Sequence, residues 1–208
     1  MFKKFMKVSA QFLSVALVAV SLVGCGQAPA REPLPDSDDW REAQVIMHEI
    51  RVKNDGTMTL GEMLDLGFKK DTLMSMVAVP SKLEAGDDTT VSLVATDGNK
   101  ELYDVHVTNN TGKKTKVENC TIDRIYSLDP TDESDGIISA RDISLVNGVG
   151  IGVGSEEVAN LMGEPDEEVI KDDADNFYKK WIYKTNYGEI VMFFWKDTDT
   201  MSTMVITF

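Results

Sequence analysis

The chain has 208 residues, of which 42% are hydrophobic and 27% charged, and its 35 acids against 21 bases give a formal net charge of −14. That balance excludes a disordered tail, a polytopic membrane protein and a basic nucleic-acid binder. An acidic surface keeps a protein soluble and repels phosphate backbones and anionic headgroups, but it selects neither a fold nor a reaction.

The first 24 residues contain Lys3, Lys4 and Lys7 and no acid, and their apolar stretch from Val8 to Val23 is broken only by Ser9, Gln11, Ser14 and Ser21. This is the pattern of a signal peptide, and it falls short of the roughly 20 strongly apolar residues of a spanning helix. It closes with Leu22-Val23-Gly24-Cys25, which resembles the bacterial lipobox, where the chain is cut before a cysteine that is acylated. The resemblance implies a leader over 1–24, lipid on Cys25, and anchoring to the outer side of a cell membrane. Acyl chains contribute about 0.8 kcal/mol per buried CH₂, so two or three of them hold a protein on a bilayer without help from its surface. Removing 24 of the 208 residues leaves 184, and losing the three leader lysines takes the charge from −14 to −17.

Residues 25–39 read as a lipidated tether, with Pro29, Pro33 and Pro35 followed by Asp36, Asp38 and Asp39. In extended polyproline-like geometry, at about 3.1 Å per residue, its 26–39 portion reaches roughly 40 Å. A first α+β module is expected over 40–128. Ile46, Ile50 and Val52 share parity before Asn54-Asp55-Gly56, which predicts a strand over 45–52 and a turn. Thr59 and Glu62 have capping-box spacing, so a short helix to about Leu66 follows, with Leu60, Met63 and Leu64 inward and Gly67 as its stop. Alternating runs near 89–96, 101–109 and 114–126 are separated by Asp97-Gly98 and Asn110-Thr111-Gly112, which are hairpin signals. Cys120 shares parity with Ile122. With Cys25 acylated it has no partner in the chain, which favours a buried thiol over an intermolecular or reactive one.

After an Asp-, Ser- and Gly-rich connection at 129–136, a second α+β module is expected over 137–208. A strand near 142–147 leads through Gly148, Gly150, Gly152 and Gly154 to Ser155, which reads as a helix N-cap. Val158, Leu161 and Met162 give that helix an apolar face, and Gly163 and Pro165 end it. Strands are predicted at 177–185, 189–196 and 201–208, with turns at 186–188 and 197–199. In both halves the glycine follows the cap by eight positions, Thr59 to Gly67 and Ser155 to Gly163. The helix phases do not superimpose, so a tandem repeat is only one possible reading. The fold class is therefore α+β: antiparallel sheets with short helices on one face.

Residues 150–208 carry a resemblance. Gly152-Val153-Gly154-Ser155-Glu156-Glu157-Val158, then Leu161-Met162-Gly163-Glu164-Pro165, then Trp181-Ile182-Tyr183 and the closing strands resemble a superfamily of small bacterial lipoprotein domains. It includes the BamE (SmpA/OmlA) outer-membrane assembly factors and the β-lactamase-inhibitor-protein-like domains. The resemblance implies an antiparallel sheet with short helices on one face, and protein binding rather than catalysis. The family's helix has a Leu-Leu pair where this chain has Asn160-Leu161-Met162.

No constellation for catalysis stands out. His48 and His106 are far apart with no zinc spacing, so no metal site is expected, and His106 reads as an exposed residue on the polar side of its strand. Val153-Gly154-Ser155-Glu156-Glu157 has Val153 and Glu157 where a Gly-x-Ser-x-Gly hydrolase elbow needs glycines, and the glycines at 148–154 match no phosphate loop and lead into two glutamates. The segment 51–62 mimics a calcium loop at Gly56 and Glu62 but has Arg51 and Lys53 where acids are required. The acids of 166–175 form the better candidate for a hard cation, and a ligand- or cation-binding lipoprotein using that loop is the alternative function. No cofactor is implied.

Ile190 to Trp195 is apolar at every position, so both faces of that strand need cover. Either the rest of the chain covers both, or Trp181, Tyr183, Phe193 and Trp195 form an exposed platform for a partner. The sequence therefore leads to a non-catalytic envelope lipoprotein that acts by protein–protein contact, touches the bilayer through acylated Cys25, binds an envelope protein it does not identify, and does not bind nucleic acid.

Overall fold

Alternation of apolar and polar residues builds the main sheet, and cross-strand pairing sorts those residues onto two faces. The computed structural model describes residues 34–71, 79–95, 101–128, 138–139, 143–170 and 177–208. Leu34–Phe208 forms one compact unit. In chain order its elements are β1 (Val45–Met47), β2 (Ile50–Val52), α1 (Leu60–Asp65), β3 (Phe68–Lys70), β4 (Lys82–Leu83), β5 (Asp88–Ala95), β6 (Glu101–Thr108), β7 (Thr115–Lys116) and β8 (Thr121–Leu128). They continue with β9 (Ile138–Ser139), β10 (Ile143–Leu145), α2 (Ser155–Met162), β11 (Glu167–Ile170), β12 (Phe177–Lys184), β13 (Glu189–Trp195) and β14 (Met201–Thr207). The fold is broadly α+β, mostly antiparallel sheet with two short helices.

Nine of the strands form one sheet in the order β11-β12-β13-β14-β8-β6-β5-β3, with β9 pairing parallel to the start of β6. The segments expected as two modules thus meet in the β14–β8 pair, where Ile206 lies opposite Ile125. One row of directly paired residues, Tyr183, Ile190, Ile206, Ile125, Val105 and Val91, crosses six strands and is buried throughout. A three-stranded sheet, β10-β1-β2, contributes Val45, Met47, Val52, Ile143 and Leu145 to the same core, α1 contributes Leu60 and Met63, and α2 contributes Val158 and Met162. Full burial of each large apolar side chain contributes about 1.5–3 kcal/mol, so this shared row and the β1–β10 pairing both tie the two halves together.

Several local expectations hold. Thr59 and Glu62 form the capping box, with Glu62 Oε2 accepting from the Thr59 N–H at 2.7 Å and Thr59 Oγ1 accepting from the Glu62 N–H at 3.3 Å. Asn54, buried, accepts from Gly56 and Met58 N–H through Oδ1 and donates to the Ile122 carbonyl, so the segment resembling a calcium loop is a side-chain-closed turn followed by a capped helix. Cys120 is fully buried; burial and then the Glu118 charge push its thiol pKa up, which disfavours the reactive thiolate.

Other expectations need correction. The single strand over 45–52 is a hairpin, β1 and β2, turned at His48 and Glu49, both with positive φ. The run 114–126 is broken: β7 is followed by a 3₁₀ turn at Val117–Asn119 before β8. Residues 167–170, read as part of an acidic loop, form strand β11. The N-cap of α2 is Gly154, with Ser155 the first helical residue. The glycine run serves geometry: Gly148 and Gly152 have positive φ, and a Cβ on Gly150 would lie 2.8 Å from the Ile143 carbonyl oxygen. Residues 34–39 of the expected tether are held on the domain. Gln44 donates to the Pro35 carbonyl, Arg51 to that of Ser37 and Lys53 to that of Leu34. Cys25, the hairpin signal Asp97-Gly98 and the connection at 129–136 lie outside the described residues.

Candidate functional site

The aromatic strand divides by parity into two chemically different faces. On the core side, Phe194 is fully buried and its ring meets Trp181 at 5.0 Å, with an interplanar angle of 64°. Trp181 is next to Tyr183 at 6.3 Å, and Tyr183 packs edge-on against Trp40 at 5.4 Å. Edge-to-face contacts of this kind contribute about 0.5–1.5 kcal/mol beyond area burial. Polar ends are satisfied: Tyr183 donates to the Gly163 carbonyl at 2.9 Å, and Trp181 Nε1 donates to Glu168 at 2.9 Å. Burial pushes the Tyr183 phenol far above its ordinary range, with the charges of Glu164 and Asp166 adding to the shift. Two residues of the expected platform, Trp181 and Tyr183, are therefore core residues that lock β12 to α2, β11 and the segment at Trp40.

On the opposite face, Ile182, Val191 and Val205 pair directly across β12, β13 and β14, and Tyr126 of β8 continues the row. The adjacent row holds Lys180, Phe193 and Thr203, with the Lys180 ammonium 6.0 Å from the Phe193 ring centroid. Phe193 and Trp195 are half-buried. Of the four aromatics expected together, only these two retain accessible area beyond the core.

Two polar constellations were not legible as such in the sequence. Ser155 Oγ donates to Asp199 Oδ2 at 2.6 Å, while the Lys179 ammonium donates to Ser155 Oγ at 2.7 Å and lies 2.9 Å from Asp199 Oδ1. Lys179 also sits over the Trp181 and Phe194 rings. A serine beside a lysine is a pairing used in acyl transfer. Here the serine proton is directed at a carboxylate, the amine is ion-paired, and Ser155 is only 5% exposed. The trio fixes the start of α2 to β12 and to the turn between β13 and β14.

The second constellation corrects the exposed His106. Its side chain is 14% exposed and lies between two carboxylates, Nδ1 at 2.6 Å from Asp123 and Nε2 at 3.3 Å from Asp88. Thr108 also donates to Asp123, at 2.7 Å. The arrangement ties β5, β6 and β8 together on the polar half of the outer face.

The carboxylates of the acidic segment that are described point to different partners. Asp166 accepts from the Lys184 N–H at 2.6 Å, Glu167 lies 4.0 Å from the Lys184 ammonium, and Glu168 holds Trp181. Asp172, Asp173 and Asp175 lie outside the described residues. Among the described residues no group of three or more His, Cys, Asp or Glu is placed to hold a metal ion, and no helix is long and apolar enough to cross a membrane. Comparison of the chain with protein-family models, curated proteins and solved structures finds no match.

Proposed function

We propose that this chain is a lipid-anchored envelope lipoprotein on the outer side of a cell membrane, acting by contact with another protein rather than by catalysis. The observation that carries the reading is Leu22-Val23-Gly24-Cys25 at the end of a lysine-bearing apolar leader. Eight residues, 26–33, separate Cys25 from the first segment held on the domain, and at the polyproline-like rise of about 3.1 Å each they reach roughly 25 Å. The acidic domain is then kept near the bilayer by its lipid while its own charge disfavours lying on an anionic surface.

On this proposal the fold consists of two related modules, 40–128 and 137–208, each a short helix on a sheet, with both helices on one face. That both helices bury their apolar residues in one core supports it. The second module is the part resembling the BamE (SmpA/OmlA) and β-lactamase-inhibitor-protein-like domains, and Phe193 and Trp195 are its contact candidates.

Metabolic labelling with a fatty acid and membrane fractionation test the anchor. The wild type is expected to be labelled and membrane-bound, and Cys25→Ala to be unlabelled; a labelled, membrane-bound Cys25→Ala chain would overturn it. For the contact, a benzophenone side chain replacing Phe193 in living cells is expected to give protein adducts on irradiation. Absence of adducts at every accessible position tested would remove the protein-contact reading.

A further inference from the structure

We infer that β11 is an open sheet edge that accepts an extended basic segment of another protein as an added strand. The inference rests on the protein-contact reading and names the kind of partner and where it docks. Among the described residues β11 is the end of the nine-stranded path and pairs only with β12, and all four of its residues are exposed. Val169 is 40% and Ile170 58% exposed, and they are two of the four large apolar residues so exposed among those described. In an antiparallel pair, alternate residues of the edge strand direct N–H and C=O away from the sheet, which is the template that strand addition uses. Folds usually blunt such an edge with short length, charge, proline, a bulge or cover, and of these β11 has short length and two glutamates, which favour an approaching strand of opposite charge. β11 has no proline, and its pairing with β12 runs in unbroken register from Glu167–Ile182 to Ile170–Lys179.

Charge selects the occupant. Glu164, Asp166, Glu167 and Glu168 lead into the two apolar residues; Asp166 and Glu168 are engaged within the fold but keep their charge, so the edge is acidic first and apolar second. A segment alternating lysine or arginine with β-branched residues matches both features. A second copy matches less well: full antiparallel overlap of two β11 strands sets Glu167 opposite Ile170 and Glu168 opposite Val169, which gives the carboxylates no cation, on chains that each carry −14.

The full chain in a non-ionic detergent is titrated with the synthetic peptide Lys-Val-Lys-Val-Thr-Val-Lys, blocked at both ends. Hydrogen exchange of the 164–170 segment is followed by mass spectrometry. Saturating peptide is expected to slow exchange there at least about tenfold, because newly paired edge amides become protected. The same peptide with alternate backbone nitrogens methylated keeps its charge, cannot pair, and is expected to give less than about a twofold change. Glu167→Lys, at an exposed site, is expected to weaken binding about tenfold or more through charge reversal. Equal protection by both peptides, no protection by either, or protection on concentration of the chain alone would overturn the proposal. Benzophenone side chains replacing Phe193 and Ile170 separate this failure from that of the wider reading. Adducts at 193 but none at 170 remove the edge proposal alone, and adducts at neither remove both.

Discussion

The two ends of the nine-stranded sheet are finished in different ways. At one end, β3 follows α1 directly, and Phe68 is buried with its ring 5.5 Å from Tyr103 at 74°. Lys70 pairs with Glu118, and the Asp71 N–H donates to the Ser92 carbonyl at 2.9 Å. At the other end, β11 has no buried side chain and is held by its ladder to β12, by the Trp181–Glu168 hydrogen bond and by Asp166 on the Lys184 N–H. One end is built into the core, and the other is a strand laid beside it. The β3 end is closed only in the sense that its strand supplies a side chain to the core, which β11 does not.

The widest separation between the ends is expected on truncation. Phe68→Ala removes a fully packed ring and is expected to cost about 3–5 kcal/mol in urea denaturation, through lost transfer energy and the cavity left behind. Val169→Ala removes exposed carbons and is expected to stay within about 0.5 kcal/mol. Equal losses at the two sites would show that β11 is as integral to folding as β3, and the contrast would fail.

The sequence disclosed the ends unequally for the same reason. Strands β5 and β6 show period-two patterning because one face is buried, and the expected bounds of these two and of β12 to β14 are close to those found. The capping box at Thr59 and Glu62 depends only on residues three apart, so it too was legible. β11 reads Glu-Glu-Val-Ile, with no alternation, because neither of its faces is covered. The β1–β2 hairpin was hidden because its turn uses His48 and Glu49 in left-handed conformations where Asn-Gly would have signalled it.

The sites were less legible than the strands. β13 is apolar on both faces, so its own pattern could not tell that Trp181 and Tyr183 pack inward; their partners Met192 and Ile190 decide that. Ser155 looked like a cap because its real partners, Asp199 and Lys179, are 44 and 24 positions away. His106 looked exposed because the carboxylates that flank it come from β5 and β8. Such pairings depend on register between distant strands, which local pattern does not encode.

A smaller effect probes what holds β11 in place. Glu168→Gln keeps an acceptor for the Trp181 indole but removes its charge, and is expected to cost about 0.5–1 kcal/mol, within the usual range for a hydrogen bond. Tryptophan fluorescence is expected to shift with it, since the indole N–H loses a charged partner. The matching shift should be absent in Val169→Ala, which leaves the indole's partner intact. If both variants changed the fluorescence equally, general loosening of β11 would replace the specific bond as the cause.

An effect of similar size lies at the closed end and vanishes at low pH. The Glu118 carboxyl is held below its ordinary value of 4.5, chiefly by the hydrogen bond from Lys70. A carboxyl whose pKa is lower folded than unfolded stabilises the fold fully above its unfolded pKa and loses that contribution as pH falls through the folded one. Both side chains are about one-third exposed, so solvent screening limits the pair to about 0.5–1 kcal/mol. Glu118→Gln should therefore be slightly less stable than the wild type at pH 7, with the difference closing as pH drops below about 4.5. Urea midpoints measured from pH 7 to pH 3 test this, and Lys70→Met should give the same closing difference because it removes the partner that depresses the carboxyl. Val169→Ala at the open end should leave the wild-type pH slope unchanged. A gap that stayed constant down to pH 3 would mean that Glu118 acts by packing alone, and that the β3 end is closed by its buried ring without help from charge.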